Sequence, residues 1–146
     1  MKQLADLIED RPLVHVAMSD SVRDAARKMK DRNVGAVAVL DEGRLVGIFS
    51  ERDVLTRVVA EDRNPSDTLI GVVMTKELIV ADPSEQIGDA VQKMVTGNCR
   101  HLPIVTDGNL LGMISIRDLL QIDDERNRAK ASFLNELVTY SPDYET

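Results

Sequence analysis

The sequence has no tryptophan, two phenylalanines, two tyrosines and one cysteine, Cys99. With aromatics at 3%, any core must be aliphatic, built from Val, Ile, Leu, Met and Ala. A single cysteine excludes a disulfide framework within the chain and suits a reducing cytoplasm. No stretch approaches the roughly 20 apolar residues of a membrane-spanning helix. Met1-Lys2 is not followed by the apolar run of a signal peptide. Basic charge is scarce too: the formal net charge is -7. Nucleic acid and anionic membrane surfaces both call for a basic field, so neither is expected as a partner. There is no Gly-x-Ser-x-Gly elbow and no Gly-rich phosphate loop. His15, His101 and Cys99 lack metal-ligand spacing, so no catalytic residue and no metal site is expected. Cys99, beside Arg100, reads more simply as a buried apolar residue than as a reactive thiol.

What is present is repetition. An offset of 65 aligns residues 21–55 with 86–120 without a gap, and twelve of the 35 pairs are identical. They include Lys28/Lys93, Asn33/Asn98, Gly47/Gly112, Ser50/Ser115 and Asp53/Asp118. Read upstream without a gap, Leu7-Ile8 falls on Val72-Val73. Each repeat reads as a short strand (near Val14–Val16 or Ile79–Ala81), a helix and two strands joined by a turn, then a second helix from Ser50 or Ser115. In the first helix Val22, Ala25, Ala26 and Met29 recur at helical spacing, as do Ile87, Ala90, Val91 and Met94. The paired strands, Ala36–Leu40 with Leu45–Phe49 and Leu102–Val105 with Leu110–Ile114, are apolar nearly throughout, as strands covered on both faces would be. Gly or Asn in their turns can supply positive φ.

About 60 residues bury too little surface to be comfortable alone. The expected fold is therefore α/β (α+β), with two pseudo-symmetric β-α-β-β-α repeats packed face to face. Residues 4–60 form repeat one, 61–72 a linker and lead-in, and 73–122 repeat two. Residues 123–146 form a helical tail whose Phe133, Leu134, Leu137 and Val138 share one side and which Ser141-Pro142 stops. Packing on its own domain is the plainer expectation for this tail, and packing on a partner chain the other.

Two phrases, Gly47-Ile48-Phe49-Ser50-Glu51-Arg52-Asp53 and Gly112-Met113-Ile114-Ser115-Ile116-Arg117-Asp118, carry the remaining chemistry. The simple reading is capping: a serine at the N-cap and an acid three residues later satisfy orphan N–H groups. The same carboxylate could instead accept two hydrogen bonds from a vicinal diol, and the two roles are compatible for the serines.

With these phrases, the Val73-Met74-Thr75 segment and Arg100-His101-Leu102-Pro103-Ile104-Val105, the chain resembles a tandem pair of cystathionine-β-synthase (CBS) domains over residues 4–121. It is similar to short bacterial stand-alone pairs. The resemblance implies a non-enzymatic regulatory module with two clefts for an adenine nucleotide (AMP, ADP, ATP or NAD(H)), assembled as a homodimer and acting on an unknown regulated protein. The nucleotide is then a regulatory ligand, not a catalytic cofactor. In the family the Ser and Asp of the motif contact ribose and phosphate, and a basic pair at Arg100-His101 contacts phosphate in one regulatory subunit. The implied first cleft combines Ser50, Arg52, Asp53, Leu78, Ile79, Arg100, His101 and Arg117. The implied second cleft uses Val14, Ser115 and Asp118, with Arg52. Gly35-Ala36 stands there in place of the basic pair, so the expectation is weaker phosphate binding, a nucleoside-like or uncharged ligand, or an empty cleft. An S-adenosylmethionine sensor, a ligand-free dimerisation scaffold and a nucleotide-processing enzyme are the alternatives. The tail after Asp123 is the element expected to report occupancy.

Overall fold

The computed structural model describes residues 3–9 and 11–122. The tail expected over 123–146 lies outside the described residues. The chain falls into two compact units, one holding Pro12–Leu78 and Asp107–Leu110, the other the chain up to Arg11, Ile79–Thr106 and the chain from Leu111.

In the first unit, β1 (His15–Ala17) runs parallel to β2 (Ala36–Asp41), which pairs antiparallel with β3 (Arg44–Ser50). Between β1 and β2 runs α2 (Val22–Arg32), which buries Val22, Ala25 and Met29. After β3 a helical segment, α3, opens over Glu51–Asp53 and widens into a π-helical turn over Val54–Val59. A short α4 (Ile70–Val73) completes the unit. The core is aliphatic apart from Phe49: Val16, Val22, Val37, Val39, Val58, Ile70 and Val73 pack with Met29 and Met74.

The second unit holds α1 (Leu4–Ile8), α5 (Ile87–Gly97), β4 (His101–Thr106), the main part of β5 (Asn109–Ser115) and α6 (Ile116–Ile122). Leu4, Leu7 and Ile8 of α1 pack with Ala90, Met94, Leu102, Ile104, Ile114 and Leu119. Cys99 packs against this core, and burial pushes its thiol up, away from the thiolate.

The strand expected near Ile79–Ala81 is reduced to a single parallel bridge, Ala81 with Ile104. Proline explains the loss. In the first unit the Ala38 N–H donates to the Val14 carbonyl at 3.3 Å. Its counterpart in repeat two is Pro103, which has no N–H to give. Burial of the strands also differs from expectation. β2 is buried over its first four residues, whereas β3 and β5 alternate between covered and less covered positions.

Both hairpins turn on two residues with positive φ: Glu42 (50°) with Gly43 (81°), and Asp107 (52°) with Gly108 (81°). Such a turn needs φ above zero at both positions. Asp107, not Asn109, takes this conformation in the second. The asparagines that do adopt it are Asn33 and Asn98, each the left-handed C-cap of its helix.

Neither unit coincides with one sequence repeat. The lead-in helix of repeat one, α1, sits in the core of the second unit, and that of repeat two, α4, in the core of the first. Backbone bonds fix both in the same way. Leu4 and Ala5 donate to the carbonyls of Glu85 and Pro83 at 2.8 and 2.9 Å; Ile70 and Gly71 donate to those of Asp20 and Met18 at 2.9 and 3.0 Å. Leu4 thus corresponds to Ile70, and Leu7-Ile8 to Val73-Met74. The lead-ins are out of step by one residue with the ungapped alignment that pairs Leu7-Ile8 with Val72-Val73.

Candidate functional site

Each repeat positions its helix-start carboxylate by the same construction. The first helical N–H donates back to the start of the hairpin: Glu51 to the Gly35 carbonyl and Ile116 to the Arg100 carbonyl, both at 2.9 Å. The serine N–H then donates to the carboxylate three residues on, Ser50 to Asp53 Oδ2 at 2.9 Å and Ser115 to Asp118 Oδ2 at 2.8 Å. The aspartate N–H donates to the serine Oγ in return, at 3.3 and 3.2 Å. The capping expected from the sequence is present in both copies.

Beyond the cap the two carboxylates diverge. Asp53 is 5% exposed. Both its oxygens are engaged: Ser50 Oγ reaches Oδ2 at 3.1 Å, Thr75 Oγ1 lies 3.3 Å from Oδ1 and 3.4 Å from Oδ2, and Arg57 Nε lies 3.5 Å from Oδ1. Arg57 is itself held, its Nη1 donating to the carbonyls of Val73 and Met74 at 3.2 and 3.0 Å. Asp118 is more open. Its second partner is Arg11, whose Nη1 lies 2.7 Å from Oδ2, with side chains 41% and 20% exposed respectively. Burial pushes the Asp118 carboxyl up, but the hydrogen bonds from Arg11 and Ser115 and the Arg11 charge together hold it below the ordinary carboxylate value.

Of the residues named for the first cleft, Ser50, Arg52, Asp53 and Leu78 belong to the first unit. Ile79, Arg100, His101 and Arg117 belong to the second. Ser50, Arg52, Leu78, Arg100 and His101 are half-buried, while Ile79 and Arg117 are exposed. Of the second set, Ser115 and Asp118 are brought together in the second unit, and Val14 belongs to the first. Sequence reasoning missed Thr75, Arg57 and Arg11. Arg57, four residues after Asp53, carried a helical-spacing signal. Thr75 and Arg11 lie in lead-in segments, where the ungapped alignment had lost register. Among the described residues no group of three or more His, Cys, Asp or Glu side chains is placed to hold a metal ion. No described helix is long and apolar enough to cross a membrane.

This duplicated architecture has counterparts. The sequence profile of the CBS domain matches residues 4–60 and 67–125, and the chain belongs to the CBS-domain family, with two copies of the domain. It is 34% identical over 122 residues to the CBS domain-containing protein YhcV of Bacillus subtilis, covering 84% of this chain and 86% of that one. It is also 34% identical over 124 residues to the mitochondrial CBS domain-containing protein CBSX3 of Arabidopsis thaliana, covering 82% of this chain but only 60% of that longer protein. Among solved structures, a putative signal-transduction protein with CBS domains from Burkholderia ambifaria matches with a TM-score of 0.78 at 29% identity, over 86% of this chain and 97% of that one. The CBS domain protein PAE2072 of Pyrobaculum aerophilum, complexed with AMP, matches with a TM-score of 0.74 at 28% identity, over 94% of this chain and 98% of that one.

Proposed function

We propose that this chain is a non-enzymatic regulatory module that binds an adenine nucleotide and transmits its occupancy as a conformational change within a homodimer. Ser50 and Asp53 take the ribose, Arg52, Leu78 and Ile79 line the ligand, and Arg100, His101 and Arg117 meet the phosphate. Ser115, Asp118 and Val14 form a second, related set. The observation that carries this reading is the duplicated serine–aspartate construction in a chain whose relative PAE2072 was solved with AMP. A carboxylate can accept from both hydroxyls of a diol, and Arg forms forked, charge-assisted bonds to phosphate. Regulation follows if the nucleotide has different affinities for two states of the protein.

A second reading has its own support. With both oxygens engaged by Ser50, Thr75 and Arg57, Asp53 is already satisfied as a structural cap, as a ligand-free dimerisation scaffold would require. A thermal-shift panel of AMP, ADP, ATP, NADH and S-adenosylmethionine separates the two. A ligand at 100 times its Kd stabilises the native state by about 2.7 kcal/mol, roughly 5–10 °C in Tm for a chain of this size. The regulatory reading expects such a rise with at least one adenine nucleotide, and a smaller rise in Asp53→Ala. No rise with any of the five leaves the scaffold; a rise with S-adenosylmethionine alone makes the module a sensor of that cofactor.

A further inference from the structure

Within the first unit, Arg57 joins Asp53 to the end of α4. Its Nε lies 3.5 Å from Asp53 Oδ1, while its Nη1 donates to the carbonyls of Val73 and Met74 at 3.2 and 3.0 Å. Val73 ends α4 and Met74 is its C-cap, so these are carbonyls for which the helix supplies no donor of its own. A basic side chain can supply the missing donor. The guanidinium is a single rigid plane. Its Nε edge cannot follow Asp53 without moving the Nη1 that holds α4.

The π-helical turn puts Arg57 in this position. Asp53 and Val58 are both buried, although they stand five residues apart. In an α-helix that spacing turns two residues about 140° away from each other. The i→i+5 turn over Val54–Val59 brings them toward one side, and Arg57, next to Val58, reaches the end of α4. Thr75, which also donates to Asp53, is fixed differently: its N–H and its carbonyl both pair with Ile48 of β3, at 2.8 and 3.0 Å. In repeat two Ile122 stands at the position of Arg57, and α6 has no basic residue in its last turn. The link thus belongs to repeat one. It ends on the lead-in of repeat two, from which the chain leaves the first unit after Leu78.

We infer that Arg57 is a positioning residue that couples the Asp53 carboxylate to α4, so that a ligand engaging Asp53 loosens the C-terminal end of α4. When ligand hydroxyls draw the Asp53 oxygens, the guanidinium loses its anion, reorients as one plane and gives up the Val73 and Met74 carbonyls. α4 then relies on its own backbone bonds, among them the Met74 N–H to the Ile70 carbonyl at 2.8 Å. The inference rests on the nucleotide-binding reading for its ligand, and adds the route by which the first site is read out.

Native-state hydrogen exchange at the Met74 amide, followed by NMR relative to the Val39 amide of β2, tests it in two arms. The first needs no ligand and compares wild type, Asp53→Asn, Arg57→Gln and the double variant. Each single change should speed Met74 exchange at least fivefold. The double should be no faster than Arg57→Gln, because one link has been cut twice. An unchanged rate in Asp53→Asn, or two effects that multiply, would overturn the inference and leave Arg57 as a brace of α4. If Asp53→Asn does not fold, Ser50→Ala, which removes the Ser50 Oγ bond to the same carboxylate, takes its place with the same outcomes. The second arm adds AMP, with binding followed by calorimetry. Bound AMP should speed the Met74 amide in the wild type and leave it unchanged in Arg57→Gln. AMP bound without that response, or a response that survives in Arg57→Gln, also overturns the inference. Absence of AMP binding would sink the nucleotide reading instead, while the ligand-free arm still decides the link between Asp53 and α4.

Discussion

The Nζ of Lys28 donates a 2.7 Å hydrogen bond to the carbonyl of His15, thirteen residues upstream. Lys93 repeats the bond to Val80 at 2.8 Å across the same thirteen residues, and adds an ion pair with Glu85 at 2.9 Å. In each repeat the lysine ammonium ties the helix to the segment that leads into it. Lys28→Met should cost about 0.5 kcal/mol, the lower end for one hydrogen bond, and Lys93→Met about 1–2 kcal/mol, because a charged partner is lost as well. Urea denaturation of the two single variants measures the difference. Equal losses would show that Glu85 contributes nothing.

Gly47 and Gly112 are matched in sequence but not in what they touch. A Cβ at Gly112 would meet the Ile8 Cβ and Cγ2 at 2.9 Å, atoms held close to their own backbone. A Cβ at Gly47 would meet the Met74 Sδ at 2.6 Å, the far part of a flexible side chain, and the Thr75 carbonyl at 3.0 Å. Overpacking costs about 1–3 kcal/mol. Gly112→Ala should fall at the upper end and Gly47→Ala at the lower, read from denaturation midpoints at constant slope. The reverse order would mean that α1 yields more easily than α4.

Acid should find Asp118. Its folded pKa lies below the unfolded value of about 3.9 for an aspartate. The stability it contributes is therefore fully present above about pH 4 and is lost as pH falls through the lower folded value. The stability gap between the wild type and Asp118→Asn should be constant from pH 7 to about pH 5 and narrow below about pH 4. Arg11→Gln should make that narrowing smaller and complete it at a higher pH, since Arg11 is the largest of the contacts that lower the folded pKa while the unfolded value is unchanged. Denaturation midpoints across the acid range, with the 13C shift of the Asp118 carboxyl, check both. A gap independent of pH would show that the ion pair does not persist in solution.

The duplication, the helices and the hairpins were legible because each rests on local chemistry written twice. Lys28/Lys93, Asn33/Asn98, Ser50/Ser115 and Asp53/Asp118 each perform one job in two places. Pro103 was visible too, and its missing N–H accounts for the lost strand. What could not be read was long-range. Nothing in the residues of α1 states that their core is the one built from 79–119, and a single-residue register break hid the match to α4. The partners of the carboxylates were hidden for the same reason: Arg11 precedes Asp118 by more than a hundred residues, and Thr75 belongs to the other repeat's lead-in. The π-helical turn over Val54–Val59 carries no local signature that distinguishes it from an ordinary helix.

The trading of lead-in helices bears on ancestry. A lone repeat of this design has its own amphipathic arm and a core that needs somebody else's. Such a molecule completes itself only by meeting a second copy and swapping arms, so its stability rises and falls with concentration. Joining two copies in tandem keeps the swap and removes that dependence, because the partner is always on the same chain. Once joined, the copies were free to differ, and the arms themselves could acquire separate tasks: a threonine for one carboxylate, an arginine for the other.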